Sequence, residues 1–177
     1  KLKMNENVNI SWFIPLPRKL RGSYRWPFFL SPFDRVPASV WIRCLQLIPL
    51  LRQFGFESTI NDFTPKTKIA IFMRTYNKEA EDLQLKLKMN GVSTVTDICV
   101  NYFTNPIHQN KDFGVTDDLI KYATKMTSTA DSVITASAFI AEQAKRHNSK
   151  VYYIPDSIDF SHYRFVRRQD AIELGGN

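Results

Sequence analysis

The sequence predicts an α/β fold, a three-layer sandwich in which helices cover both faces of a mostly parallel sheet. Three observations lead there. Short runs that are apolar at nearly every residue recur along the chain, as strands buried on both faces do. Between most of them lie longer stretches with apolar residues at three- and four-residue spacing, the period of a helix. The composition, 44% hydrophobic and 23% charged over 177 residues, suits one globular domain with a core and excludes a disordered chain.

The elements follow in order. Val8–Ile14 (VNISWFI) reads as the first strand and stops at Pro15. From Pro15 to Pro37 the prolines at 15, 17, 27, 32 and 37 forbid a sustained helix or central strand. That loop mixes Arg18, Lys19, Arg21 and Arg25 with Tyr24, Trp26, Phe28, Phe29 and Phe33, and a loop so long inside a compact domain is commonly functional. Ala38–Phe54 reads as a helix with Val40, Cys44, Leu47, Ile48 and Leu51 on one face, Ser39 near its start and Gly55 as its stop. Pro49 conflicts with it, because an interior proline costs ~3 kcal/mol. A kink, or two short helices meeting there, is expected.

Glu57–Ile60 and Lys68–Met73 (KIAIFM) read as the second and third strands. Asn77–Asn90 predicts a helix with Ala80, Leu83, Leu87 and Met89 inward, closed by Gly91. Val92–Val100 is the fourth strand, and Asn105–Gly114 a polar loop. Thr116–Thr129 is a helix with Asp117 and Asp118 in its first turn, where negative charge suits the helix dipole. Asp131–Ala136 is the fifth strand, Ser137 opens a helix reaching about His147, and Lys150–Ile154 is the sixth strand. Such alternation means parallel strands with right-handed crossovers. Ligands in these sheets bind beyond the carboxyl ends of the strands. The loops after Ile14, Met73, Val100 and Ala136 therefore form the expected functional rim.

The formal charge of +7 favours anionic partners without choosing among phosphates, acidic lipids and acidic glycans. No nucleic-acid motif is present and the basic residues are spread along the chain, so no nucleic-acid partner is expected. Cys44 and Cys99 each sit in an apolar run and read as small buried hydrophobes. With no CxxC and no His/Cys cluster, no metal site is expected. No apolar run approaches the ~18–20 residues of a membrane span, and a cytoplasmic location is the expectation.

Four stretches go further. ASVWIRCLQLIPLLRQFGFE resembles the first helix of retaining GT-B glycosyltransferases of the large family-four type, with Arg43, Pro49 and Gly55 in step. STVTDICVNYF resembles that family's D-I-C-D-N-Y-F strand end at Asp97, Asn101 and Tyr102, with Val100 where the second acid stands. ADSVITASAFIAEQ resembles A-D-x-V-x-x-x-S-x-x-L-A, with Ala130, Asp131, Val133 and Ser137 in place. KVYYIPDSID resembles K-V-x-V-I-P-N-G-V-D, with Asp156 and Ser157 for Asn and Gly. The order and spacing of the four carry the resemblance over residues 8–160, nearly the whole chain.

The resemblance implies a Rossmann-like domain over 1–155, one half of a GT-B fold, that takes the acceptor side of a cleft. Residues 156–177 then form a linker and the start of a C-terminal donor domain, which in this family carries a paired-glutamate motif. The implied activity is transfer of a sugar from a nucleotide-sugar donor to a glycan or lipid-linked acceptor, at the inner face of the membrane where the acceptor is lipid-linked. No cofactor is implied; the nucleotide sugar is a substrate. His108 and Asp97 are the implied catalytic-region residues. Arg25, Arg74, Asn101 and Ser137 are candidate acceptor contacts, and Gly22 is the one glycine available to a donor phosphate after the first strand. Each has a plain structural role beside it: loop capping for Asp97, helix capping for Ser137, a solvated strand end for Arg74. The competing reading is a non-catalytic Rossmann-like module that binds a glycan, lipid or protein partner. Val100 and the glycine-poor loop after the first strand favour it.

Overall fold

The computed structural model describes residues 8–15, 37–104 and 115–157. Gly22, Arg25, His108, the Arg18–Phe33 loop and the segment beyond 157 lie outside the described residues. Among the described residues six strands, five α-helices and one π-helical segment follow in the order β1 (Val8–Phe13), α1 (Ala38–Val40), the π-helical segment (Trp41–Leu45), α2 (Leu47–Gln53), β2 (Phe56–Ile60), β3 (Thr67–Met73), α3 (Lys78–Met89), β4 (Ser93–Ile98), α4 (Asp117–Thr129), β5 (Ser132–Thr135), α5 (Ala138–Ala144) and β6 (Val151–Tyr153). The strands make one sheet in the order β2-β1-β3-β4-β5-β6. Every pairing is parallel. The protein is thus a Rossmann-like α/β sandwich with helices on both sheet faces.

The direction of travel explains the two faces. From β1 the chain steps outward to β2, then returns past β1 and moves the other way through β3 to β6. Right-handed crossovers in opposite directions put helices on opposite faces. One core accordingly joins Phe72, Ile98 and Val133 to Ala80 and Leu87 of α3, Ala123 and Met126 of α4, and Ile140 and Ala144 of α5. The other joins Ile10, Trp12, Ile71, Met73 and Val95 to Val40, Cys44 and Leu45. Alternate residues of each strand feed the two cores, which is why these strands read as nearly continuous apolar runs. The order reverses between β1 and β3, so the switch point lies beyond Phe13 and Met73.

Pro49 is accommodated upstream of itself. Gln46 N–H donates to Trp41 C=O at 3.1 Å, five residues back, and the wide turn ends at Leu45. A new α-helix then starts at Leu47, which puts Pro49 in its first turn, where the missing N–H has no intrahelical partner to lose. The break expected at Pro49 therefore falls one turn earlier. The π turn also buries three consecutive residues, Arg43, Cys44 and Leu45.

Asn77, Thr116 and Ser137 cap α3, α4 and α5 by accepting from the backbone N–H of Ala80 (2.8 Å), Leu119 (3.2 Å) and Ile140 (3.2 Å). Met89 corrects the inward set for α3: it is 88% exposed, because two positions beyond Leu87 is the far side of the helix. Gln84 takes the inner place instead, fully buried and donating to Thr96 Oγ1 and to the carbonyl of Met126. β4 ends at Ile98, earlier than Val100, and α5 ends at Ala144, short of His147.

Candidate functional site

A buried charge cluster stands at the carboxyl end of β4. Arg43 is 5% exposed and Asp97 3%. Arg43 Nε donates to both oxygens of Asp97, at 2.9 and 3.1 Å. Its Nη1 donates to the carbonyl of Ile154 at 3.1 Å and to Asp156 Oδ1 at 2.6 Å. Gln46, three residues on, donates from Nε2 to the carbonyl of Ser157 at 2.5 Å. One arginine thereby joins the helix after β1, the tip of β4 and the segment after β6. The Asp97 backbone carbonyl accepts from the buried Tyr76 hydroxyl at 2.6 Å, which fixes the rim between β3 and β4. A cavity of about 150 Å³ lies against the cluster, lined by Trp12, Leu47, Ile134 and Pro155 as well as Arg43 and Asp97.

The charges do not balance evenly. Burial pushes Asp97 up to about 6, although Arg43 pulls the other way. One guanidinium is shared between two carboxylates, and Asp156 adds a like charge. Burial also works against the charge on Arg43, but Asp97 and Asp156 more than offset it. The arginine stays charged and Asp97 is the group that titrates.

The second feature of the rim is at the switch point. Arg74 directly follows β3 with φ +56°, a left-handed conformation that costs a non-glycine residue roughly 1–2 kcal/mol. The turn it makes lets the Thr75 hydroxyl donate to the Phe13 carbonyl at 3.1 Å and sends Tyr76 into the core. Asn61, also left-handed, mimics a strand neighbour at the end of β1. It accepts from Ile14 N–H at 2.8 Å and donates to Ile14 C=O at 2.9 Å. The exposed Arg74 guanidinium donates from Nη1 to Ser39 Oγ at 3.2 Å. Burial raises the Cys99 thiol, with Ser39 and Arg74 acting against it. Burial likewise pushes Tyr102 up to about 12, and Arg74 again opposes.

The candidates named from sequence thus separate. Asp97 lies at the cavity wall, with Arg43 on both carboxylate oxygens. Arg74 stands at the switch point and is not among the residues that line the cavity. Asn101 closes a local turn, accepting from Phe103 N–H and donating to Thr104 Oγ1. Ser137 caps α5. Arg43 and Tyr76 were not read as site residues. The signal for Arg43 was present: a charge on the helix face of Val40, Cys44 and Leu47 must find a buried partner. Its partners are 54 and 113 positions away, a separation that no local pattern encodes.

Among the described residues no three His, Cys, Asp or Glu side chains cluster as metal ligands would. No helix among them is long and apolar enough to cross a membrane. No protein-family model matches the chain, and no curated protein matches it.

Proposed function

We propose that this chain is the acceptor-side half of a GT-B-type glycosyltransferase. One observation carries the reading. Arg43, Asp97 and Asp156 belong to three of the four stretches that resemble this family, and they meet in one hydrogen-bonded cluster. The fourth stretch joins the second at the opposite, amino end of the strands, where Asp131 accepts from the N–H of Thr94 at 2.8 Å and ties the start of β5 to β4, and Ser137 caps the helix after β5. A parallel sheet whose switch point opens beyond β1 and β3 supplies the crevice such chemistry needs.

In this reading the acceptor lies on the rim formed by the ends of β1, β3 and β4. The nucleotide-sugar donor approaches from a second domain across a cleft. The acceptor hydroxyl oxygen bonds to the anomeric carbon as its proton passes to the departing phosphate oxygen, the glycosyl–phosphate bond breaks, and the nucleoside diphosphate leaves. Arg43 and Asp97 are positioning residues, holding the rim against the segment 154–157 that leads out of the domain. His108 is the residue the resemblance puts nearest the reacting sugar. Catalysis rests mainly on alignment of the hydroxyl with the anomeric carbon and on cations facing the leaving diphosphate.

The test is expression of the complete native reading frame with a panel of nucleoside-diphosphate sugars, scoring nucleoside diphosphate released in the presence of glycan and lipid-linked acceptors. Turnover with one donor, reduced at least about 100-fold by His108→Ala as expected for a group acting at the reacting centre, supports the reading. A complete protein that neither binds nor turns over any of them sinks it. Besides Val100 and the glycine-poor loop, the binding-module alternative draws support from the occupation of both Asp97 oxygens by Arg43. Saturable glycan binding that is indifferent to every sugar nucleotide would favour it.

A further inference from the structure

Arg74 occupies a position where the backbone asks for glycine. Its φ of +56° is the region in which a Cβ is strained and a glycine is not. Strain of this kind persists where the surroundings over-determine it, and it concentrates at ligand sites. The side chain extends into the rim at the β1/β3 switch point, the place where open parallel sheets bind ligands. Among the described residues it has no carboxylate within ion-pair distance, and its hydrogen-bond partner is the neutral Ser39 hydroxyl. The thiol of Cys99 and the phenol of Tyr102 both feel its charge, and burial keeps both of them neutral. The carboxylate of this neighbourhood, Asp97, is buried and turned to Arg43. The result is an exposed guanidinium fork with hydroxyl and thiol neighbours, in a protein of net charge +7.

We propose that Arg74, with Ser39 beside it, forms an anion site that takes a phosphate group of the acceptor. A guanidinium binds two oxygens of a phosphate at once. The Ser39 hydroxyl, 3.2 Å from Nη1, stands where it donates to a third. A planar carboxylate offers two oxygens and leaves that donor unused. The attribution to the acceptor rests on the transferase reading, whereas the anion site does not. The phosphate comes from one of two sources, a soluble phosphoester or a lipid phosphate.

The chain itself is titrated with inorganic phosphate and phenyl phosphate at constant ionic strength, with acetate as control, following tryptophan fluorescence and the unfolding midpoint. The expected result is saturable binding of both phosphates that weakens at least about tenfold in Arg74→Gly and Arg74→Ala and partly survives in Arg74→Lys, as loss of bidentate contact predicts. Arg74→Gly is the informative variant. It relieves the backbone strain, so its unfolding midpoint stays level or rises while binding is lost, which separates a binding defect from a folding defect. Phosphatidylcholine vesicles with and without phosphatidic acid distinguish the sources: Arg74-dependent capture by the acidic vesicles assigns the lipid, and capture in solution alone assigns the soluble ester. The proposal is overturned by an absence of saturable phosphate binding, by unchanged binding in Arg74→Gly, or by acetate binding as well as phosphate. Phosphate binding without sugar transfer by the complete protein would retire the transferase reading and leave the site standing.

Discussion

Arg43 occupies a place on its helix that an apolar residue would otherwise fill, and Asp97 sits below it with almost no contact with water. Such a pair contributes little by existing, because two desolvated charges recover in attraction roughly what they lose in hydration. Breaking it is another matter. Arg43→Met leaves Asp97 buried and unpaired and is expected to cost about 3–5 kcal/mol, measured by urea unfolding at neutral pH. A loss below about 1 kcal/mol would mean that water reaches the carboxylate. The pH dependence has a definite sign. Asp97 titrates near 3.8 unfolded and near 6 in the fold. Between these values the folded protein holds a proton that the unfolded chain has released, so stability falls as pH rises through that window. The full difference corresponds to roughly 3 kcal/mol. Asp131 works the other way. Burial opposes its charge, but hydrogen bonds from Lys88 and Thr94 more than offset this and hold its pKa down, so its contribution is lost as pH falls. The clean observable is therefore the difference between wild type and Asp97→Asn, followed from pH 4 to 7. Wild type should lose ground to the variant up to about pH 6 and then run parallel to it; a flat difference contradicts the assignment. At this scale the sequence is half legible. Asp97 announced itself by its place at a strand end, whereas the partner that defines its chemistry is brought to it only by the crossover from β1.

Elements were more legible than residues, and their failures are instructive. The strands carry much of their own evidence, since burial on both faces favours apolar residues along their length, although Ser11, Thr94, Thr96 and Asp97 are buried polar residues among them. The caps at Asn77, Thr116 and Ser137 could be anticipated from residue type. The helix after β1 is different, because two rules conflict in it: its apolar period asks for continuity and Pro49 forbids it. The π turn resolves the conflict by restarting the helix at Leu47, and this makes the proline nearly harmless. Pro49→Ala should then change stability by less than about 1 kcal/mol, instead of gaining the ~3 kcal/mol expected when a proline leaves a helix interior. A large gain in thermal unfolding experiments would show that the turn is strained by Pro49 rather than adapted to it. Ser137 poses a choice between capping and ligand contact that stability alone can weigh. As a cap, Ser137→Ala costs about 1 kcal/mol and Ser137→Asp close to nothing, since an aspartate caps equally well. An equal loss for both would point away from capping.

At the scale of the whole molecule, alternation of strand and helical patterns specified a parallel sheet, and the handedness of crossovers then limited where each helix could lie. The strand order was not legible, because the short connection between β2 and β3 that returns past β1 has no periodic signal. It is secured by polar contacts instead: Ser11 Oγ shares hydrogen bonds with the hydroxyls of Thr59 and Thr67 at 3.0 and 2.9 Å, stitching β1 to both neighbours. The other end of the sheet is less protected. β6 pairs with β5 alone among the described residues, and Tyr152 and Tyr153 on it and Ile154 just beyond it are each about half exposed. A short edge limits the template for further strand addition, but aromatic residues on both faces favour self-association. Natural edges are commonly guarded by lysine. Tyr153→Lys should therefore lower self-association in light scattering at high protein concentration, with the unfolding free energy unchanged within about 0.5 kcal/mol, as for an exposed surface position. If the variant instead loses several kcal/mol, Tyr153 is packed against another part of the chain, and the sheet continues or is covered beyond β6.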